Sequence, residues 1–423
     1  LSKKWGYSTS QKVCLSTKFG VGYGKLTLVE KYMKANLSHR LHFERTLDVL
    51  LPLLSVFSAL LVGAIVLILL NKNPIEAYTV LITGAFTNKN GLADTLVKAT
   101  PLMLVALGIA ISFRGGVINI GAEGQLVMGA LLATYLAVAL GDVLPGPITI
   151  LICLVAGMVM GGVWGAIAGY LKAYLQVNEI LSTIMLNQIA IQIGFYLLRG
   201  PMIDPAEVVA GTNIPHSARF PQATDLLRFT DIAQALGFSP SAKKAGFTGF
   251  SGELYGLFAE PTRLHVGLLL AVGMAILVYI FLWRTTIGYR IRAVGLNPSA
   301  ARYAGINVPR YTIISLALSG MFAGLAGAIE VLGLHHRMFE PPAVSAGYGF
   351  TGIVVALFGK LHPLGVIPSA ILFGGLLVGG DKMQRAVQVP QVLVTALLGL
   401  VVIFVVSTEI ISRRWANRRI DKD

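Results

Sequence analysis

The sequence predicts an all-α polytopic membrane protein with about ten transmembrane helices in two inverted-topology halves. Three observations predict it: an apolar composition, a row of ten apolar stretches of near-bilayer length, and one string that recurs five stretches later. Of the 423 residues, 55% are hydrophobic and 13% charged, about half the charged share of an ordinary soluble domain. Two cysteines, Cys14 and Cys153, make neither a disulfide framework nor a metal-ligand cluster. A net charge of +14 would suggest nucleic acid in a soluble protein. Here the basic residues gather in particular loops, so they report topology in a lipid bilayer and no nucleic-acid partner is expected.

Each stretch follows from the roughly 20 apolar residues that a helix needs to cross the bilayer. Residues 1–46 form a basic tail, expected to be cytoplasmic and disordered. Met33-Lys-Ala-Asn is a more ordinary start than Leu1, so residues 1–32 are expected to reflect either an over-long reading or a non-standard start codon. The first half, 47–198, holds spans at 47–70, 96–115, 117–140, 148–171 and 179–198, with a short amphipathic helix at 74–86. The polar segment 199–262 mixes acids and bases and reads as an extracytoplasmic insert. The second half, 263–412, holds spans at 263–283, 311–332, 346–359, 363–379 and 389–412, and residues 413–423 are a basic cytoplasmic end.

Orientation follows from lysine and arginine. The tail, the loop 285–309 with its neighbours Arg284 and Arg310, and the C-terminal end are all basic. With ten spans all three fall on one side, which the positive-inside bias makes cytoplasmic.

The repeat supports this count. Gln176-Val-Asn-Glu-Ile-Leu-Ser-Thr-Ile-Met-Leu186 opens span five, and Gln388-Val-Pro-Gln-Val-Leu-Val-Thr-Ala-Leu-Leu398 opens span ten. A five-span offset reverses direction through the bilayer, which makes the halves an inverted pair with a substrate path expected between them near the midplane. In the same register Gly121 corresponds loosely to Gly347. Gly157, Gly161, Gly165 and Gly169 fall four apart in span four, and Gly375 and Gly379 are their counterpart in span nine. Such seams admit a second helix backbone, either within the chain or from another subunit.

Polar groups break the apolar pattern at Arg114-Gly-Gly-Val-Ile-Asn-Ile-Gly-Ala-Glu-Gly-Gln125, between spans two and three. Neither flanking run is long enough alone, so the string lies at or inside the bilayer edge, where it must face protein or a wet cavity. A cavity-lining break is expected. Three other motifs carry no chemistry. Gly347-Tyr-Gly-Phe-Thr-Gly352 matches a dinucleotide-loop pattern but opens a membrane segment instead of following a strand. His335-His336 lacks the further ligands of a metal site, and adjacent helical residues point apart. No phosphate-binding G-x-x-x-x-G-K-[ST] loop exists. No catalytic residue, cofactor or metal is expected, and the chain is not expected to hydrolyse ATP by itself.

In the loop after span six, Asn297-Pro298-Ser299-Ala300-Ala301 reads as a short capped helix with proline in its first turn. Gly305 ends it. A lone helix between spans has no core of its own, so another protein is expected to cover it.

Ser299-Ala-Ala-Arg-Tyr-Ala-Gly305 resembles the Glu-Ala-Ala-x-x-x-Gly loop of ATP-binding-cassette (ABC) importer permeases, with Ser299 where many carry Glu. Gly116-Val-Ile-Asn-Ile-Gly-Ala-Glu-Gly-Gln125, Val177-Asn-Glu-Ile-Leu-Ser-Thr-Ile-Met-Leu-Asn187 and Gly347-Tyr-Gly-Phe-Thr-Gly352 are similar to the nucleoside branch of the ribose and branched-chain amino acid permease group. The resemblance runs from about residue 45 to the end. It implies a prokaryotic inner-membrane permease subunit that works with a cytoplasmic ABC ATPase, a second permease subunit and an extracytoplasmic substrate-binding lipoprotein. It makes Asn297, Ser299, Ala300, Ala301, Arg302 and Gly305 the candidate coupling residues. The candidate substrate path is Asn119, Glu123, Gln125, Asn178, Glu179, Thr183, Asn187, Tyr348, Phe350 and Thr351: amides and carboxylates for ribose hydroxyls or a base edge, rings for a π face. Residues 179, 183 and 187 lie four apart on one helix face.

Two alternatives stand beside this reading. One is an ABC permease for a simple sugar such as ribose. The other is an ion-coupled secondary transporter, which would need an acid deep in a span, whereas Glu123, Glu179 and Glu330 lie near expected span ends. A membrane enzyme would need clustered carboxylates or a nucleophile–base pair, and neither is found.

Overall fold

The computed structural model describes residues 54, 56–239, 246 and 249–389, together with 393, 396, 399, 400, 403, 404 and 407. The expected tail (1–46), the basic end (413–423) and most of the last expected span lie outside the described residues. The protein is an all-α polytopic membrane protein. Among the described residues the only β pairing is a single antiparallel bridge between Arg228 and His265.

The first half runs α1 (Val56–Leu69), α2 (Pro74–Phe86), α3 (Lys89–Arg114), α4 (Ala122–Leu140), α5 (Gly146–Leu175) and α6 (Glu179–Arg199). The insert carries α7 (Pro205–Ala210), α8 (Phe229–Ala235) and α9 (Gly249–Ala259). Then come α10 (Gly267–Arg284), α11 (Thr286–Leu296), α12 (Pro298–Tyr303), α13 (Val308–Glu330), a π-helical turn (Val331–His335), α14 (Pro341–Ser345), α15 (Tyr348–Phe358) and α16 (Pro363–Val387). Eight of these units are long and apolar enough to cross a membrane. With α1 and the last span, that is compatible with ten.

Local chemistry sets the helix starts. Asn73, Asn88, Asn178, Asn297 and Asn307 each cap a helix by accepting a first-turn backbone N–H, and Pro74, Pro298 and Pro309 stand in the first turns of α2, α12 and α13. Charge pairing carries α3 beyond its expected start at residue 96. The Lys89 backbone N–H donates to Glu253 Oε2 at 2.6 Å and the Lys89 ammonium pairs with Glu260. Counting apolar residues misses such a turn because its charges are neutralised by other elements.

The eighth expected span, 346–359, belongs to a longer crossing unit, Pro341–Phe358, built in two pieces, α14 and α15. Ala346 (φ 44°) and Gly347 (φ 72°) are both left-handed, so the chain turns between α14 and α15. The two copies of the repeated string begin alike: Gln176 (φ 54°) and Gln388 (φ 53°) are left-handed caps that end α5 and α16. Gly121 and Gly347 are likewise the caps before α4 and α15.

The core centres on α3, α4 and α13, whose side chains are mostly buried. The glycine seam of α5 faces α13 of the same chain. A Cβ on Gly161 would lie 2.3 Å from the Gly320 carbonyl oxygen, so the two backbones touch. The α16 seam receives α2 in the same way, with Gly379 against the Leu81 backbone and Gly375 against the Phe86 ring. Both seams are filled from within the chain.

The insert is stitched onto the C-terminal end of α13 and the residues that follow it. Ser217 N–H donates to Met338 O, Phe220 N–H to His336 O and Leu226 N–H to Leu332 O, at 2.9–3.1 Å. Asp225 Oδ1 lies 2.9 Å from His336 Nδ1, and an Arg228 Nη lies 3.3 Å from His336 Nε2. Arginine can only donate, so Nε2 accepts and Nδ1 carries the proton toward Asp225. His265 is buried beside them. Burial first, then the charges of His336 and Arg228, lower its pKa from 6.5 to about 4. A histidine held neutral this way contributes stability that is full above pH 6.5 and is lost as pH falls toward 4. The melting temperature is therefore expected to fall between pH 7 and pH 4.5, and to fall less in His265→Gln. Equal slopes in the two proteins would refute this.

Candidate functional site

Three regions gather polar chemistry: the break between α3 and α4, the knuckle of α11 and α12, and the histidine junction just described. At the break, Gly115 ends α3 and Gly116 (φ 74°) turns the chain. Asn119 is fully buried. Its Oδ1 accepts from Gly121 N–H at 2.9 Å, while its Nδ2 donates to Gln125 Oε1 at 2.9 Å and to Ser319 Oγ on α13 at 2.8 Å. Asn187 on α6 reaches the same place: Oδ1 accepts from Gly124 N–H at 2.8 Å and Nδ2 donates to Ile120 O at 2.9 Å. Glu123 Oε2 accepts from Gly349 N–H on α15 at 2.7 Å. The break is thus a knot joining α4, α6, α13 and α15, and each of these side chains finds its partner inside the chain. That satisfies the rule for polar groups at membrane depth.

The expected path residues divide accordingly. Asn119, Glu123, Gln125, Thr183, Asn187 and Tyr348 are buried. Thr183 Oγ1 donates back to Glu179 O at 2.6 Å. Glu179 pairs with Lys172 of α5 at 2.8 Å, and Asn178 spends its side chain on the cap of α6. Thr351 is half-buried and Phe350 is exposed. The structure brings Asn119, Glu123, Gln125 and Asn187 together and leaves Asn178 and Phe350 apart from them. Ser319 completes the knot and went unnoticed in the sequence, because one serine in an apolar span carries no signal without its partner.

At the knuckle, Asn297 ends α11 and begins α12, accepting from Ser299 N–H and Ala300 N–H at 3.1 Å. The short capped helix forms as the sequence indicates, with Gly305 left-handed beyond it (φ 78°). Ala301 anchors it inward, while Asn297, Ser299, Ala300, Arg302 and Gly305 are exposed. Two apolar residues that sequence reasoning passed over, Leu296 and Tyr303, are 87% and 95% exposed. Beside the knuckle the Arg114 guanidinium stacks on Trp283, 4.7 Å from the ring centre, and its Nε donates to Leu361 O at 2.7 Å.

Among the described residues no three His, Cys, Asp or Glu side chains gather closely enough to hold a metal. His335 turns toward Glu330 (3.7 Å) and His336 toward Asp225.

A bundle of membrane-crossing helices with a buried polar knot and a protruding capped helix defines a transport subunit. Residues 91–406 match the family described as the permease component of the branched-chain amino acid transport system, and the chain belongs to that family of ABC permeases. It is 35% identical to the glucose ABC transporter permease of Haloferax volcanii, over 86% of this chain and 88% of that one. It is 32% identical to a guanosine ABC transporter permease of Bacillus subtilis, over 86% and 95%. A second guanosine permease of the same bacterium is 29% identical over 70% and 85%.

Proposed function

We propose that this permease forms the translocation path of an ATP-driven importer for nucleosides. The observation that supports it most is the similarity along most of the chain to two guanosine permeases. In this reading the protein lies in a prokaryotic inner membrane with both termini cytoplasmic, and a separate ATPase docks on α12. A second permease subunit completes the path, and a substrate-binding lipoprotein delivers cargo from outside. The glucose permease relative makes a sugar the second reading. Proteoliposomes holding the complete complex decide between them. ATP-dependent uptake of radiolabelled guanosine, unaffected by collapsing ion gradients, is the expected result. Uptake of glucose alone would replace the cargo, and uptake driven by an ion gradient without ATP would replace the class.

The docking assignment carries its own expectation. Exposed Leu296 at the end of α11 and Tyr303 at the end of α12 are apolar area that a partner would cover. Tyr303→Asp is expected to reduce co-purification of the ATPase at least tenfold. Gly305→Arg puts a long side chain on a left-handed backbone and is expected to leave ATP hydrolysis unlinked to uptake. Normal ATPase retention and coupled uptake in both variants would retire α12 as the contact.

A further inference from the structure

α6 sends its polar residues in two directions. Ser182, Thr183, Asn187, Ala190, Gly194 and Leu198 face the body of the protein and are buried. On the opposite side Leu181, Met185, Gln188, Ile189, Gln192 and Tyr196 are exposed. Gln188 and Gln192 are one turn apart, close to the midpoint of a 21-residue span, and so near the bilayer midplane. Among the described residues neither amide has a hydrogen-bond partner within the chain.

The neighbouring spans behave differently. The outward row of α5 is Ile148, Leu151, Val155, Val159, Val163 and Ile167, and that of α10 includes Leu269, Ile276, Leu277 and Ile280. Those rows suit lipid. Two unpaired amides at the midplane do not, since hydrocarbon offers no hydrogen bond and polar side chains there face protein or a wet cavity. Of the described residues of the last span, Leu393 and Leu400 pack with Leu67, Leu81 and Met383, on the α1, α2 and α16 side. α6 packs instead on α4, α5 and α14. The second permease proposed above is a neighbour of the right kind, since Bacillus subtilis holds two guanosine permeases that are both similar to this chain.

We propose that the Gln188–Gln192 face of α6 meets the second permease subunit across the translocation conduit, and that its two amides select the cargo. Each amide donates and accepts, and the fixed charge on this face, Arg199, stands at the end of the span, two turns or more from either amide. Such a surface fits an uncharged solute that presents both donors and acceptors, with the Tyr196 ring as an apolar platform. This rests on the importer reading above.

The test uses the complete complex in proteoliposomes and a membrane-impermeant thiol reagent. Gln188→Cys and Gln192→Cys are expected to react, and 1 mM guanosine to slow them at least fivefold; Val159→Cys on α5 is expected to stay unreactive. Reaction no faster than Val159→Cys would overturn the proposal. In a second arm, the double Gln188→Leu, Gln192→Leu variant is expected to lose at least tenfold in uptake while retaining its ATPase, and the double Asn variant to recover most of it. Wild-type uptake by the Leu variant would also overturn the proposal. The two readings fail separately. If the unmodified complex carries glucose and not guanosine, the nucleoside reading falls, and glucose becomes the protecting solute for the same cysteines. If uptake of guanosine is normal and the cysteines are inert, the face falls alone.

Discussion

Gly324→Leu is expected to leave almost no folded chain in the membrane. Gly324 stands where α13 crosses α5, and even a Cβ there would lie 2.1 Å from the Gly157 carbonyl oxygen and 2.9 Å from Gly161 Cα. The atoms in the way are backbone, so no rotamer change relieves the clash and the two helices must separate. Overpacking that side chains can absorb costs about 1–3 kcal/mol, and this site has no such relief. The loss also spreads, because α13 packs against α3 and α4 as well as α5. Gly273 on α10 is the control. Nothing lies within 4 Å of a Cβ there, and Gly273→Leu adds an apolar side chain among exposed Leu269, Ile276 and Leu277. Detergent-solubilised yield and melting temperature read both variants. A Gly324→Leu protein that accumulates and melts like wild type would mean that α5 and α13 do not cross this closely.

The seam behind that expectation was legible, since glycines four apart can only form a ridge-free face. Its partner was not, because periodicity says which residues share a face and nothing about what meets it. The same limit governs α6. Residues 179, 183 and 187 do lie on one side, but Thr183 and Asn187 are on the buried side, and the outward amides are Gln188 and Gln192. A helix with polar residues on both faces gives no sign, in sequence, of which face is out. Apolar length sets a span end short where charges carry the helix onward, as at Lys89 of α3, whose acids come from α9 and its C-terminal flank. The α12 cap was legible in full because Asn297 and Pro298 act on their own first turn, with no distant partner to supply. The polar string at 114–125 was legible as a break that protein must cover. That Ser319, Asn187 and Gly349 cover it required the fold.

Glu123 gives the second large effect. Its carboxylate is 5% exposed and receives Gly349 N–H at 2.7 Å, in the first turn of α15 just past the left-handed pair Ala346 and Gly347. The amides at a helix start have no partner within their own helix, and a carboxylate is favoured there by the helix dipole. Glu123→Ala removes the acceptor and leaves a buried N–H unpaired, a cost of about 1–3 kcal/mol, at the point where α4 holds α15 in register. Because the same turn of α4 carries Gly124, which donates to Asn187 Oδ1, a shift of α15 is felt on α6 as well. Uptake is expected to drop below a tenth of wild type while the ATPase still co-purifies, since α12 packs on α11 and α13 and not chiefly on this turn. Glu123→Gln keeps an oxygen for Gly349 and is expected to retain most of the activity. If the Gln variant were as inactive as the Ala variant, the charge itself would be required and Glu123 would belong to the path instead of its support. Full uptake by Glu123→Ala would remove the residue from both roles.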